Sequence, residues 1–187
     1  LSTPGSTSPT EVTRLHVAEG ASATADAPTM RAALLSAALD IIDREGSGAL
    51  TVRSVAKAAG CSTTGVYTWF GGKGGLVEQI YVDSFRQFSA HLLAARGLRT
   101  TTGDNPLRVL ARGYREWALA NPTRYMIIFG RAVPDYAPSD HAKLVGLTSF
   151  AQLGEVPRVY LEHIGSPLDP LDVATHLWAG VHGYVSL

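Results

Sequence analysis

Apolar residues recur every three to four positions along most of this chain, which is the spacing of an amphipathic α-helix. The runs are separated by glycine, proline and polar residues of the kinds that cap or stop helices. No run shows the strict alternation of apolar and polar residues that marks a β-strand. The pattern predicts an all-α protein, with helices at about 30–46, 52–59, 63–70, 76–96, 104–120, 123–131, 141–164 and 169–187.

The same pattern divides the chain into three parts. Residues 1–28 are rich in Ser, Thr, Ala, Gly and Pro, with few large apolar side chains, and are predicted to be a disordered tail. Residues 29–75 are predicted to form a three-helix domain whose first helix is capped by Thr29. Residues 76–187 are predicted to form a second helical domain. Glycines surround Lys73 and predict a flexible junction in front of the long helix that joins the domains.

Composition narrows the classes of function. Sixteen Lys and Arg balance sixteen Asp and Glu, so any charge that attracts nucleic acid must be local. No apolar run approaches the roughly 18 residues of a membrane span, and no signal-peptide pattern is present, so we expect a soluble cytoplasmic protein without a membrane partner. The single cysteine, Cys61, excludes an intramolecular disulfide and a cysteine-cluster zinc site.

Catalysis and metal binding find no support in the sequence. His163, His176 and His182 have neither the spacing nor the neighbouring carboxylates of a metal site. The glycine-rich stretch around Lys73 lacks the spacing of a phosphate-binding loop, and no nucleophile-and-base pattern occurs. We therefore expect no metal, no cofactor and no enzyme activity.

Residues 52–70 form two short predicted helices around a tight turn. Ala56 is small where the two helices must cross closely, and Gly60 can adopt the positive φ that such a turn requires. Val55 and Val66 are spaced to make the buried contact that fixes the angle between the helices. The segment is therefore predicted to be a helix-turn-helix, a motif whose second helix enters the major groove of DNA.

The segment 50–76 resembles the DNA-binding domain of the tetracycline-repressor (TetR) family, and with the first helix the resemblance covers about 30–77. It rests on a set of residues at the family's spacing: Thr51, Ala56, Ala59, Gly60, Ser62, Gly65, Tyr67, Phe70, Lys73 and Leu76. The resemblance implies a regulator that binds an inverted-repeat operator in double-stranded DNA as a homodimer.

The resemblance also implies roles for individual side chains. Positions that reach base edges in the family hold Arg53, Thr63, Thr64 and Thr68 here. Positions that touch phosphates hold Thr51, Tyr67, Trp69 and Lys73. Packing against the first helix is the alternative for Tyr67 and Trp69, and a solvated surface charge is the alternative for Lys73. Family members carry a polar cap and an acidic residue beside this lysine, where the present chain has Gly72 and Gly74.

Aromatic residues lie on helical stripes through the second domain, and such stripes are explained either by core packing or by a ligand cavity. The candidates for lining a cavity are Tyr114, Trp117, Tyr125, Met126, Phe129, Phe150, Trp178 and His182. The segment 177–187 resembles the Trp-x-x-x-His-Gly (WHG) signature of one C-terminal subclass of TetR-like regulators. In that subclass a further helix follows and joins the dimer interface; since the sequence ends at Leu187, we expect that helix to be either missing or not included here.

We expect the dimer to form through residues 144–164 and 171–187, with Leu177, Val181 and Val185 as candidate interface residues, although packing in the protomer core is equally compatible with their positions. Three functions stay open. The first is a repressor that a small molecule releases from its operator. The second is a constitutive DNA-binding repressor with a filled core. The third is a helical small-molecule carrier with a degenerate DNA-binding domain.

Overall fold

The computed structural model describes residues 27–99 and 104–187 of the chain. Within these residues the secondary structure consists of helices alone, which confirms the all-α prediction. Residues 1–26, which hold nearly all of the predicted tail, lie outside the described part. The α-helices are α1 (Ala27–Glu45), α2 (Val52–Ala58), α3 (Thr63–Phe70), α4 (Lys73–Arg99), α5 (Pro106–Ala120), α6 (Pro122–Phe129), α7 (Asp140–His163) and α8 (Pro170–Val185), with a short 3-10 turn at Ser47–Ala49.

The first three helices enclose one apolar core. Leu34 of α1, Val55 of α2 and Val66 of α3 are fully buried in it, so Val55 and Val66 share one core, as the predicted contact requires. The core does not end at the predicted domain boundary, because Ile80 of α4 and Val133 of the loop after α6 belong to the same cluster. The N-terminal domain is therefore packed directly onto the second domain.

A second core, built around α4, holds the other half of the molecule together. Phe85, Phe88 and Leu92 of α4 meet Tyr114 of α5 and Tyr125 of α6 in a cluster of edge-to-face aromatic rings. Helices α7 and α8 cover this cluster, and α4 packs against α5, α6 and α7. A single long helix thus runs through both cores.

Two predicted helix starts are wrong. Thr29 does not cap α1, because the helix already begins at Ala27 and Thr29 lies in its first turn. Helix α4 begins at Lys73 and not at about residue 76. Gly71 ends α3 with a left-handed φ of 68°, and the chain then enters α4 almost at once.

One glycine of this junction, Gly75, is required for close packing. A Cβ atom at Gly75 would lie 1.8 Å from the carbonyl oxygen of Phe70, an approach that only glycine allows. The start of α4 is consequently pressed against the end of α3.

Candidate functional site

The first helix of the helix-turn-helix is fixed at its start by a capping box. The Thr51 side chain accepts a hydrogen bond from the Ser54 backbone N–H at 3.0 Å, and the Ser54 hydroxyl accepts one from the Thr51 N–H at 2.9 Å. At the other end, Gly60 takes a φ of 68°, as predicted, and the Cys61 N–H donates to the Ala56 carbonyl at 2.9 Å. These contacts set the position of α3 relative to α2.

The outer face of α3 carries the side chains that the sequence assigned to DNA. Thr63, Thr64 and Thr68 are all exposed. Tyr67 is 58% exposed and Trp69 is 39% exposed, and neither belongs to the core beneath α3. The larger part of the Tyr67 surface is therefore available to a partner outside the protein, whereas most of the Trp69 surface is covered by the protein itself.

Positive charge surrounds this face. Arg53 and Lys57 are exposed on α2, and Lys73 is half-buried at the first position of α4. No acidic residue occurs between residues 46 and 77, so no carboxylate on this segment opposes a phosphate. Sequence reasoning assigned no role to Arg31, whose guanidinium carbon lies 5.6 Å from the centre of the Phe70 ring at the end of α3. Its position on α1 carried no motif that would have marked it.

The side chains of Tyr114, Tyr125 and His182 form a polar cluster inside the aromatic core. The Tyr125 hydroxyl lies 2.7 Å from Nδ1 of His182, and the Tyr114 hydroxyl lies 3.1 Å from the same nitrogen. The Trp178 ring stacks on the His182 ring with centres 5.2 Å apart. Burial raises the pKa of Tyr114 and its hydrogen bond with Tyr125 raises it further, while a hydrogen bond from Trp178 lowers it. Tyr114 therefore stays neutral and keeps its proton as a donor.

A cavity of about 60 Å³ adjoins this group, between α4, α5, α7 and α8. Of the residues predicted to line a cavity, Tyr114, Phe150 and Trp178 do so. Trp117, Tyr125 and Phe129 lie in the aromatic core around it, and His182 bonds to Tyr114. Met126 lies apart, with 49% of its surface exposed. The lining residues that sequence reasoning missed are Leu92, Leu110, Ala111, Gly154, Ala174, Leu177 and Val181, small or aliphatic residues without a distinctive pattern.

Polar contacts join the two halves of the molecule, and sequence reasoning found none of them. Glu78 of α4 accepts hydrogen bonds from the hydroxyls of Tyr136 and Ser139, in the segment between α6 and α7. Burial raises the pKa of Glu78, but these hydrogen bonds outweigh it and the net pKa is lowered. The Thr123 hydroxyl of α6 also donates to Asp43 of α1 at 2.7 Å.

The predicted interface residues of α8 face the core of their own protomer and are only partly buried. Leu177 lines the cavity, and Val181 and Val185 pack against the aromatic core of their own protomer. The outer face of α8 instead exposes Gly183 and Tyr184, and no atom lies within 4 Å of a Cβ built at Gly183. Core packing, the alternative for these three residues, is therefore what they show within the protomer, and their interface role stays a prediction because each is still partly exposed.

The described residues contain neither a membrane-spanning helix nor a cluster of metal ligands. None of the helices among them is long and apolar enough to cross a membrane. In the same part of the chain, no three or more His, Cys, Asp or Glu side chains come together in a way that could hold a metal ion.

The chain is similar to known proteins in two segments. Residues 34–80 match the model for bacterial regulatory proteins of the tetR family. Residues 107–187 match the model for a tetracyclin repressor-like C-terminal domain. The first segment runs from within α1 through α2 and α3 to the start of α4, and the second covers helices α5 to α8.

Individual relatives and solved structures agree with these matches. An HTH-type transcriptional regulator of Mycobacterium tuberculosis is 29% identical over 99 residues, which are 51% of this chain and 42% of that regulator. The HTH-type transcriptional regulator BetI of Vibrio campbellii is 40% identical over 57 residues, which are 30% of this chain and 29% of that protein. The chain therefore matches less than half the length of these curated relatives.

Two solved structures share the fold over most of their length. The crystal structure of SCO4313, a protein described as regulatory, has a TM-score of 0.73 at 27% identity and covers 88% of this chain and 85% of its own. A bacterial regulatory protein of the tetR family from Rhodococcus RHA1 has a TM-score of 0.67 at 18% identity and covers 84% and 83%.

Proposed function

Because this chain belongs to the tetR family of bacterial regulatory proteins, we propose that it is a cytoplasmic, DNA-binding transcriptional repressor that acts as a homodimer. The observation that carries the proposal is the outer face of α3. It presents threonines and two exposed aromatic rings beside cations of α2 and α4, on a segment without acidic residues. Such a face is complementary to the major groove and its flanking phosphates.

The proposed DNA contacts divide into two kinds. Arg53, Thr63, Thr64 and Thr68 read base edges in the major groove. Thr51, Tyr67, Trp69 and Lys73 contact phosphates and set the register of the helix on the duplex. The capping box keeps Thr51 in place, and the tight junction at Gly75 supports the same role for Lys73, because it fixes the start of α4 against α3.

A homodimer is required because one recognition helix covers only a half-site, and the two half-sites lie about 34 Å apart. We assign the interface to the outer faces of α7 and α8, which are distant in sequence from α3. These faces expose large apolar side chains, including Leu147 of α7 and Leu171, which is 74% exposed, on α8. If these side chains form one contiguous apolar patch, such a patch marks an interaction site.

The second part of the proposal is that a small molecule releases the repressor. Gly154 supports it, because this glycine lies inside α7, lines the cavity, and would meet no atom within 4 Å if it carried a Cβ. A glycine inside a helix costs about 1 kcal/mol relative to alanine. No neighbouring atom requires a glycine at position 154, so packing does not explain this cost. Room for a ligand would explain it.

The polar group beside the cavity supports the WHG subclass. Trp178 and His182 stand four residues apart on α8, so both lie on one face of the helix and both interact with Tyr114. This contact gives the Trp-x-x-x-His spacing a physical purpose. The neutral hydroxyl of Tyr114 would offer a hydrogen bond to a mainly apolar ligand.

Signal transmission follows from the course of α4. The helix begins with Lys73 at the DNA face and reaches the cavity with Leu92, a separation of about 28 Å along its axis. The repressor is expected to have two conformations, one that fits the operator and one with a larger cavity. A ligand that binds the second conformation more tightly shifts α4 toward it. Operator affinity then falls by a factor set by the ratio of the ligand's affinities for the two conformations.

A constitutive repressor is the second candidate, and the size of the cavity favours it. About 60 Å³ is the room taken by roughly two water molecules, whereas ligand pockets span about 300 to 1,000 Å³. Gly154→Leu separates the two candidates, because the added side chain overfills the cavity. A responsive repressor then loses operator affinity while staying folded, and a constitutive one keeps it. Ala94→Leu, on the exposed face of α4, is the control of similar bulk.

The DNA-binding proposal itself is tested by selection. The protein is incubated with a random duplex library, and bound duplexes are recovered and sequenced over several rounds. Enrichment of an inverted repeat with half-sites about 34 Å apart is expected. Recovery of no preferred sequence, with binding that does not respond to salt, refutes the proposal and favours a carrier with a degenerate DNA-binding domain.

A further inference from the structure

The recognition helix α3 lacks the side chains that usually read adenine and guanine. Its sequence contains threonine, glycine, valine and aromatic residues, with no Arg, Lys, Asn, Gln, Asp or Glu. Adenine is read by paired hydrogen bonds from Asn or Gln, and guanine by paired bonds from Arg or Lys. Among the proposed base-reading residues, only Arg53 of α2 can donate such a pair of hydrogen bonds. Helix α3 must therefore discriminate bases by another kind of contact.

Thr68 shows which chemistry is left. Its hydroxyl donates a hydrogen bond to the Thr64 carbonyl of the preceding turn at 2.9 Å, so the hydroxyl proton is used within the helix. The side chain is nevertheless exposed. Its oxygen can still accept a hydrogen bond, but its methyl group is the apolar part open to a partner, and methyl groups in the major groove belong to thymine, at the C5 position.

We propose that α3 reads thymine methyl groups through Thr68, so that the part of each half-site beneath α3 contains A·T pairs. This inference rests on the proposed DNA-binding function and specifies its sequence preference. Contact between two methyl groups removes both from water, and each buried group of that size contributes enough to change affinity by about fourfold. Arg53 then supplies the one guanine contact of the half-site.

The test removes a single methyl group from the DNA at a time. The duplex of highest affinity from the selection is resynthesised with deoxyuridine in place of one thymidine, which deletes the C5 methyl and leaves the Watson–Crick pairing intact. Dissociation constants are measured by fluorescence anisotropy for each position. About a fourfold loss is expected at a thymine beneath α3, and no loss is expected at thymines outside the half-sites.

Two matched variants assign the contact to Thr68. Thr68→Val keeps the methyl group and loses the hydroxyl, whereas Thr68→Ser keeps the hydroxyl and loses the methyl. In a helix, valine prefers the rotamer that places its two methyl groups where a back-bonded threonine places its oxygen and methyl. The preference for thymidine over deoxyuridine is therefore expected to persist in Thr68→Val and to vanish at one position in Thr68→Ser.

Each other outcome overturns the inference. Equal affinity for thymidine and deoxyuridine at every position shows that no methyl is read. A half-site without A·T pairs beneath α3 shows the same. A preference that survives in Thr68→Ser assigns the contact to another side chain. Absence of salt-dependent duplex binding removes the proposed function itself, and it is seen before any deoxyuridine is introduced.

Discussion

Replacing Gly75 with alanine tests the claim that α4 is pressed against the end of α3. The added Cβ would stand 1.8 Å from the Phe70 carbonyl oxygen, well inside the 3.0 Å below which atoms must shift. Both sides of this contact are backbone, so no side-chain rotation relieves it. The neighbouring Gly74 lies in the same helical turn, and a Cβ there would meet no atom within 4 Å. Gly74→Ala is therefore a matched control with the opposite expected sign.

The two magnitudes follow from different physical effects. Overpacking at a rigid contact typically costs about 1 to 3 kcal/mol, which for a chain of this size lowers Tm by about 2 to 12 °C. Alanine at an unobstructed helical position gains up to about 1 kcal/mol over glycine, which raises Tm by up to about 4 °C. Gly75→Ala also displaces Lys73, so operator affinity is expected to fall with it.

Thermal unfolding followed by circular dichroism at 222 nm distinguishes these expectations, with operator affinity measured on the folded variants. If Gly75→Ala and Gly74→Ala change Tm alike, the claim that α4 is pressed against α3 at Gly75 is wrong. If Gly75→Ala raises Tm, the glycines serve as a flexible hinge, as their sequence alone suggested.

Three further predictions concern other contacts. Lys73→Ala should weaken binding to all duplexes alike and reduce the slope of log K against log salt by about 0.9 per protomer; an unchanged slope removes Lys73 from the phosphate contacts. Glu78 has a lowered pKa in the folded protein, so its contribution to stability is present above its ordinary value of 4.5 and is lost as the pH falls through the folded value. Glu78→Gln should therefore show a smaller loss of stability in acid than the parent, and chemical denaturation at pH 7 and below pH 4 measures this. Gly183→Arg, on the open face of α8, should give folded monomers in sedimentation, whereas Val181→Glu should unfold the chain because Val181 packs on the core; a dimeric Gly183→Arg variant places the interface elsewhere.

The helix-turn-helix was predictable because its residues are constrained locally. Thr51 caps α2, Gly60 takes a positive φ, and Val55 meets Val66, and each of these follows from residue type and spacing within about twenty positions. The exposure of Tyr67 on α3 follows from the same local geometry.

Contacts between distant segments were not predictable. Nothing around Glu78 indicates that Tyr136 and Ser139 will reach it, because they lie about sixty residues away along the chain. Gly75 was interpreted as flexible because its close partner is a carbonyl group, which leaves no mark in the pattern of side chains.

The helical periodicity of α8 predicted which of its residues are apolar, but it could not decide whether they face the protomer core or a second protomer. Val181 has the same periodicity whether it meets its own core or a second protomer, and the structure places it against its own core. The cavity was located through its aromatic residues, while the small residues that give it room, such as Gly154, carried no signal.

The most direct test of the account is the salt dependence of binding to the selected inverted repeat, measured by fluorescence anisotropy from 50 to 200 mM salt. Lys73 provides one phosphate-neutralising charge per protomer and two per dimer, so affinity should fall by about tenfold over this range. A duplex with one half-site should bind far more weakly than the repeat. Affinity that is independent of salt, or equal for one and two half-sites, would contradict a dimeric repressor that holds operator DNA through α3.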